Sequence, residues 1–134
     1  MIARVNRSVL IVDDDPEFRE LAARLLAASG LTVVGEAGSV AAARAAGAEF
    51  EPTAILVDVE LPDGDGLTLA RELAALPSHP RIVVTSIDGD ITTTDEARDA
   101  GAVAFVNKAD LPNAPLASLL GGELDRETES PGTV

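Results

Sequence analysis

Ile55 to Gly66 reads I-L-V-D-V-E-L-P-D-G-D-G, an apolar run that stops at one carboxylate, Asp58, and gives way to a Pro/Gly/Asp loop. A run of this kind is the pattern of a strand buried on both faces of a parallel sheet, carrying an acid to the sheet's carboxyl edge. Many α/β proteins end a strand in Asp. The stretch therefore gains meaning only if other strands bring matching chemistry to the same edge.

On its N-terminal side, Ser8 to Val12 (S-V-L-I-V) is a β-branched run ending at Asp13-Asp14-Asp15-Pro16. Asp15 followed by Pro16 reads as an N-cap and first helical residue, whereas Asp13 and Asp14 alone fit either caps or the acids of a site. Phe18, Leu21, Ala22, Leu25 and Leu26 then share one helical face, closed by Gly30. Leu31 to Gly35 predicts a second strand. Ser39 caps a helix over Val40 to Ala46 that Gly47 ends, and Ala54 to Val57 is the third strand, with Asp58 at its end.

On the C-terminal side, Leu69, Ala70, Leu73 and Leu76 mark a helix stopped by Pro77. Arg81 to Thr85 (R-I-V-V-T) predicts a fourth strand ending at Ser86. The helix expected over Ile91 to Ala100 is weakened by Thr92, Thr93 and Thr94, β-branched neighbours of low helix propensity, so it should be short or shifted. Val103 to Val106 forms the fifth strand, followed by Asn107 and Lys108, and a last helix starts near Asn113 with Pro115 in its first turn. Five strands alternating with helices imply right-handed crossovers and a doubly wound parallel α/β sheet, with the ligand site beyond the strands' carboxyl ends. One domain over residues 1–121 and an acidic, disordered tail over 122–134 are expected.

The 134 residues suffice for one domain, and with 46% apolar but only 2% aromatic residues the core must be built from Val, Ile, Leu and Ala. Ten Lys plus Arg against twenty-three Asp plus Glu leave a net charge of −13. No basic cluster offers itself to nucleic-acid phosphates, and the acidic balance favours a basic partner or a metal ion. With no cysteine, disulfides, thiolate metal sites and a cysteine nucleophile are excluded. No apolar run reaches membrane-spanning length and no secretory segment opens the chain, so a cytoplasmic location away from membranes is expected. His79, the lone histidine, sits between Ser78 and Pro80 as a loop residue, not a phosphohistidine donor.

Three predicted strands end in charged residues: the first in Asp13-Asp14, the third in Asp58, the fifth in Lys108. The fourth ends in hydroxyls, Thr85 and Ser86. Converging carboxylates need a counter-charge. A hard divalent cation such as Mg²⁺ supplies one, since it takes a few carboxylates plus water and phosphate oxygens. A lysine and a hydroxyl beside them suit phosphoryl transfer onto a carboxylate. Asp63 and Asp65 read as turn formers rather than ligands.

The segments V-L-I-V-D-D-D-P, I-L-V-D-V-E-L-P-D-G-D-G, I-V-V-T-S and G-A-V-A-F-V-N-K-A, in this order over about Ser8 to Leu120, resemble the receiver domain of bacterial two-component response regulators. The resemblance implies a flavodoxin-like sheet in the order 2-1-3-4-5. It implies that Asp58 accepts a phosphoryl group from a sensor histidine kinase or phosphotransfer protein. Asp14 and Asp58 would ligate Mg²⁺ with the Glu60 backbone carbonyl, and Asp13 would stand nearby through water. Lys108 would contact the phosphoryl group and Phe105 would be the aromatic switch. The switch hydroxyl is Ser86 by the family's interval to the lysine, or Thr85, which has a small residue next to it.

Ala109 stands where the family commonly has proline, so a trans peptide is expected after Lys108. With no helix-turn-helix or catalytic segment attached, a stand-alone signalling switch that is not an enzyme is expected, its output running through protein contact, competition for phosphoryl groups, or a domain outside this sequence. A homodimer would use the face of the fourth helix, fifth strand and fifth helix, which this sequence makes irregular. Two rival readings remain: a module that signals without phosphate, and a Mg²⁺-dependent aspartyl phosphatase with Glu60 as its second acid.

Overall fold

The computed structural model describes residues 7–87 and 94–121. Five strands form one parallel sheet: β1 (Ser8–Val12), β2 (Thr32–Ala37), β3 (Ala54–Asp58), β6 (Arg81–Ser86) and β7 (Ala104–Asn107). Their spatial order is β2-β1-β3-β6-β7, which is 2-1-3-4-5 when only these strands are counted. Between β3 and β6 lies a small antiparallel hairpin, β4 (Glu60–Leu61) and β5 (Gly64–Asp65), that the sequence reading took for plain loop. The helices are α1 (Pro16–Ala28), α2 (Val40–Phe50), α3 (Gly66–Ala74), α4 (Thr94–Asp99) and α5 (Leu116–Gly121).

Alternation along buried strands builds two cores. Leu10, Val12, Ile55, Val57, Ile82 and Val84 point to one face, where α2, α3 and α4 cover them with Val40, Ala43, Leu69, Leu73 and Ala97. Val9, Ile11, Leu56 and Val83 point to the other, under Phe18, Ala22 and Leu26 of α1 and Leu116 and Leu120 of α5. Each fully buried Val, Leu or Ile contributes about 1.5–3 kcal/mol, which lets a core almost without rings hold the domain.

Several element ends depart from the sequence reading. Helix α2 runs through Gly47 to Glu51, which ends it in the left-handed region at φ 45°. Gly47 is a packing residue: a Cβ there would stand 3.2 Å from Leu73 Cδ2 and 3.3 Å from Leu76 Cδ1. The second strand starts one residue later and runs further, because Leu31 turns into the core at 5% exposure. Helix α3 stops at Ala74, short of Pro77, with Ala75 as its C-cap.

Among the described residues helix α4 covers six, Thr94–Asp99. Part of the segment expected to begin it, residues 91–93, lies outside the described residues, as does the expected tail. The helix expected from Asn113 is divided in two: a 3₁₀ segment over Lys108–Asn113, capped by the Asn107 side chain on Ala109 N–H, and then α5. No cis peptide occurs among the described residues, so the bond after Lys108 is trans as expected.

Candidate functional site

β1 and β3 are neighbours in parallel register, with Val12 opposite Val57, so the residues just beyond them, Asp13 and Asp58, emerge side by side at the carboxyl edge. Asp13 is fully buried and Asp58 is 6% exposed. Two such carboxylates require a cation between them, and Lys108 arrives from the end of β7 to supply it. Its Nζ lies 2.6 Å from Asp13 Oδ2 and 3.3 Å from Asp58 Oδ2. The same ammonium stands 4.4 Å over the centre of the Phe18 ring, an attractive placement for a partly desolvated cation.

The remaining carboxylate oxygens are held by the chain itself. Asp15 N–H donates to Asp13 Oδ1 at 2.9 Å, and Glu60 N–H donates to Asp58 Oδ1 at 3.2 Å. From α1, Arg19 Nη1 donates to the Asp13 carbonyl at 2.7 Å, while its Nε pairs with Glu36 at 2.9 Å, clamping the turn that carries the acids. Asp15, not Asp13 or Asp14, is the N-cap of α1, accepting from Glu17 N–H. Asp14 is left at the exposed rim.

Burial raises the Asp58 pKa above the ordinary carboxylate range, and the neighbouring Asp13 charge adds to the rise; Lys108 and the Glu60 N–H act against it. Burial pulls the Lys108 pKa down, but its bonds to Asp13 and then Asp58 outweigh that and leave it raised.

The acids also fit a divalent ion. One oxygen from each of Asp13, Asp14 and Asp58 lies within 4.8 Å of the others. Asp13 Oδ2, fully buried, has the Lys108 ammonium at 2.6 Å and no other hydrogen-bond partner among the described residues. All donors are hard oxygens, as Mg²⁺ prefers, with no nitrogen or sulfur ligand present.

The two hydroxyl candidates are both buried, at 1% exposure. Thr85 is in register with Asp58 and directs its hydroxyl to the Val57 carbonyl at 3.4 Å. Ser86 stands one residue further out, opposite Asn107. Phe105 is half-buried against the core under α2, α3 and α4. Glu60 is exposed in the first arm of the hairpin. Asp63 and Asp65 are not turn formers alone: Asp65 caps α3 through Leu67 and Thr68 N–H, and Asp63 reaches the start of α2.

Sequence reasoning missed Arg19 and the Phe18 contact with Lys108. Phe18 was legible only as a core residue, although being one of three aromatics was a usable signal. Nothing in the pattern marked Arg19.

The response regulator receiver domain family matches residues 9–115. The transcriptional regulatory protein FixJ of Azorhizobium caulinodans is 35% identical over 121 residues, covering 90% of this chain and 56% of FixJ. A protein-glutamate methylesterase/protein-glutamine glutaminase of Hahella chejuensis is 32% identical over 124 residues, 91% of this chain and 34% of that protein. The chain thus spans about half or less of these relatives' length. Among solved structures, the signal receiver domain of NarL from Mycobacterium tuberculosis superposes with a TM-score of 0.76 at 29% identity, covering 87% of this chain and 94% of that one.

Proposed function

The chain belongs to the response regulator receiver domain family, and from that premise we propose that it is a phosphorylation-controlled switch whose acceptor is Asp58. One observation carries this reading: a carboxylate at the edge of the central strand, poised beside both a second buried acid and the Lys108 ammonium. An Asp58 oxygen attacks the phosphorus of a phosphohistidine on a sensor kinase or phosphotransfer protein. The new P–O bond forms as the P–N bond breaks, its electron pair returning to the ring nitrogen, and the imidazole leaves neutral, keeping the proton already on its other nitrogen. Asp14, Asp58 and the Glu60 backbone carbonyl would hold Mg²⁺, with Asp13 nearby through water; when bound, the ion neutralises charge on the transferring phosphoryl group. Lys108, already in contact with Asp13 and Asp58, would pair with a phosphoryl oxygen. No helix among the described residues is long and apolar enough to cross a membrane.

Incubation with Mg²⁺ and a small acyl phosphate should add one phosphoryl group, seen by intact mass. D58N should abolish the addition; an unmodified wild-type chain overturns the proposal.

The output is a change in protein contacts, carried by a hydroxyl at the end of β6 that follows the phosphoryl group and by Phe105 on the neighbouring strand. Ser86 is the proposed hydroxyl, by the receiver family's usual interval to the lysine; Thr85, the alternative, directs its hydroxyl to the Val57 carbonyl. The phosphorylated S86A variant should lose the conformational response, read as amide shift changes around Phe105, while T85A keeps it. The reverse result would assign the role to Thr85. We propose no enzymatic turnover beyond uptake and loss of the chain's own phosphoryl group, and phosphate esters should remain unhydrolysed in its presence.

A further inference from the structure

Asp63 lies outside the acid cluster, at the tip of the β4–β5 hairpin, and its carboxylate is fully engaged elsewhere. Oδ1 accepts Val40 N–H at 2.7 Å and Oδ2 accepts Ala41 N–H at 3.1 Å. The next free amide, Ala42 N–H, goes to Ser39 Oγ at 3.1 Å, and Ala43 N–H opens the regular helix ladder on the Ser39 carbonyl at 2.9 Å. Three of the N–H groups that lack an intrahelical partner at the start of the helix are thus satisfied, two of them by a carboxylate more than twenty residues downstream. These amides hold the Asp63 carboxyl below the usual carboxylate range, Val40 contributing most. The hairpin also packs closely on the helix: a Cβ on Gly64 would stand 3.0 Å from Val40 Cγ2.

The other attachments of the hairpin lead to the phosphoacceptor. Its first arm begins at Glu60, whose N–H holds Asp58 Oδ1. Its second arm ends at Asp65, whose carboxylate caps α3. Arms of two residues each cannot fix their own geometry in water. What fixes the hairpin is therefore its three anchors, on α2, on α3 and on Asp58.

We propose that Asp63 is a positioning residue for the phosphoacceptor site: by clamping the hairpin tip to the start of α2, it holds the Glu60 main chain, and through it the Asp58 carboxylate, in the arrangement that takes Mg²⁺ and a phosphoryl group. The proposal rests on the receiver reading given above. It makes α2, which bears none of the proposed site residues, a structural support of the site.

The test compares D63A, D63N and S39A in the whole chain. Ser39 caps the same helix through Ala42 and Ala43 rather than through the hairpin, so S39A reports what loosening of α2 does without loss of the Asp63 bonds. Calorimetric titration with Mg²⁺ should show about 10-fold weaker binding in D63A. D63N, which keeps one acceptor oxygen, should fall between, and S39A should match wild type. Phosphoryl uptake from a small acyl phosphate should slow in the same order. Unchanged Mg²⁺ affinity in D63A, or an equal loss in S39A, overturns the proposal. Amide hydrogen exchange at Glu60 is read in the same samples and does not depend on phosphoryl chemistry: it should quicken in D63A, less in D63N, and not in S39A. If Glu60 exchange is unaffected, the clamp is refuted; if it quickens while the wild type takes no phosphoryl group, the receiver reading fails and the clamp stands.

Discussion

Replacing Gly66 by alanine is expected to cost at least about 3 kcal/mol of folding stability, among the largest effects of adding a single methyl group. Gly66 opens α3 immediately after its cap, Asp65, and its N–H donates to the Val59 carbonyl at 2.6 Å. A Cβ built there would overlap the Asp58 carbonyl oxygen outright and lie 2.7 Å from Val59 Cα. Both obstacles are backbone. No rotamer change relieves them, so either the α3 start or the end of β3 must move. Movement of β3 displaces the proposed acceptor, and G66A should also lose phosphoryl uptake among the molecules that still fold.

The control is G64A, two residues earlier in the same loop. There the obstacle is Val40 Cγ2, the end of a side chain, at 3.0 Å. An off-rotamer adjustment of about 1 kcal/mol should suffice. Urea unfolding followed by far-ultraviolet circular dichroism separates the two, since the chain has neither Trp nor Tyr for fluorescence. Equal losses in G64A and G66A would show that the close approach to Asp58 is not what selects glycine at 66.

The contrast between these glycines shows which parts of the molecule were legible in the sequence. Strands β1 and β3 were readable because a parallel sheet covered on both faces demands continuous apolar runs, and Val12-Asp13 and Val57-Asp58 stop theirs at charge. Their adjacency then followed from the family pattern, not from the residues. The start of α1 was readable because Asp15-Pro16 is a local signal. Gly47 was misread because a glycine in an alanine run looks like a helix stop; its reason for being small is Leu73 and Leu76 on another helix. Asp63 is a turn residue as read, but its second role, on the start of α2, was not legible, since its partners Val40 and Ala41 lie far back in the chain. Lys108 was found by its place after β7, but its neighbour Phe18 comes from the opposite end of the sequence. Local patterns name elements and caps. Contacts between distant segments decide what loops and small residues are for.

Removing the Lys108 charge while keeping its bulk, in K108M, is expected to destabilise the metal-free protein by about 3 kcal/mol near neutral pH. The substitution leaves Asp13, fully buried, and Asp58, 6% exposed, with no cation between them. That figure is the lower end for breaking a buried pair, because Asp14 sits at an exposed rim where water reaches the acids. The pH dependence has a definite sign. Burial, then the Asp13 charge, already raise the Asp58 pKa in the folded wild type, and losing Lys108 removes one of the influences acting against that rise.

An acid with a raised folded pKa binds more protons when folded than when unfolded, so stability falls as pH climbs from the ordinary carboxylate range through the raised value. The K108M deficit should therefore be small in the ordinary carboxylate range, near pH 4, and grow as the pH rises above it. Two additions should reverse it. Millimolar Mg²⁺ restores a cation among the acids, and D58N combined with K108M removes one of the two stranded charges. Urea unfolding in a chelator across that pH range, repeated with Mg²⁺, reads all three. A deficit independent of pH would mean that Lys108 supports the fold through its contact with Phe18, which methionine keeps only in part, and not through charge. The Mg²⁺ arm separates these causes: packing lost beside Phe18 cannot be returned by a metal ion, whereas neutralised carboxylates can.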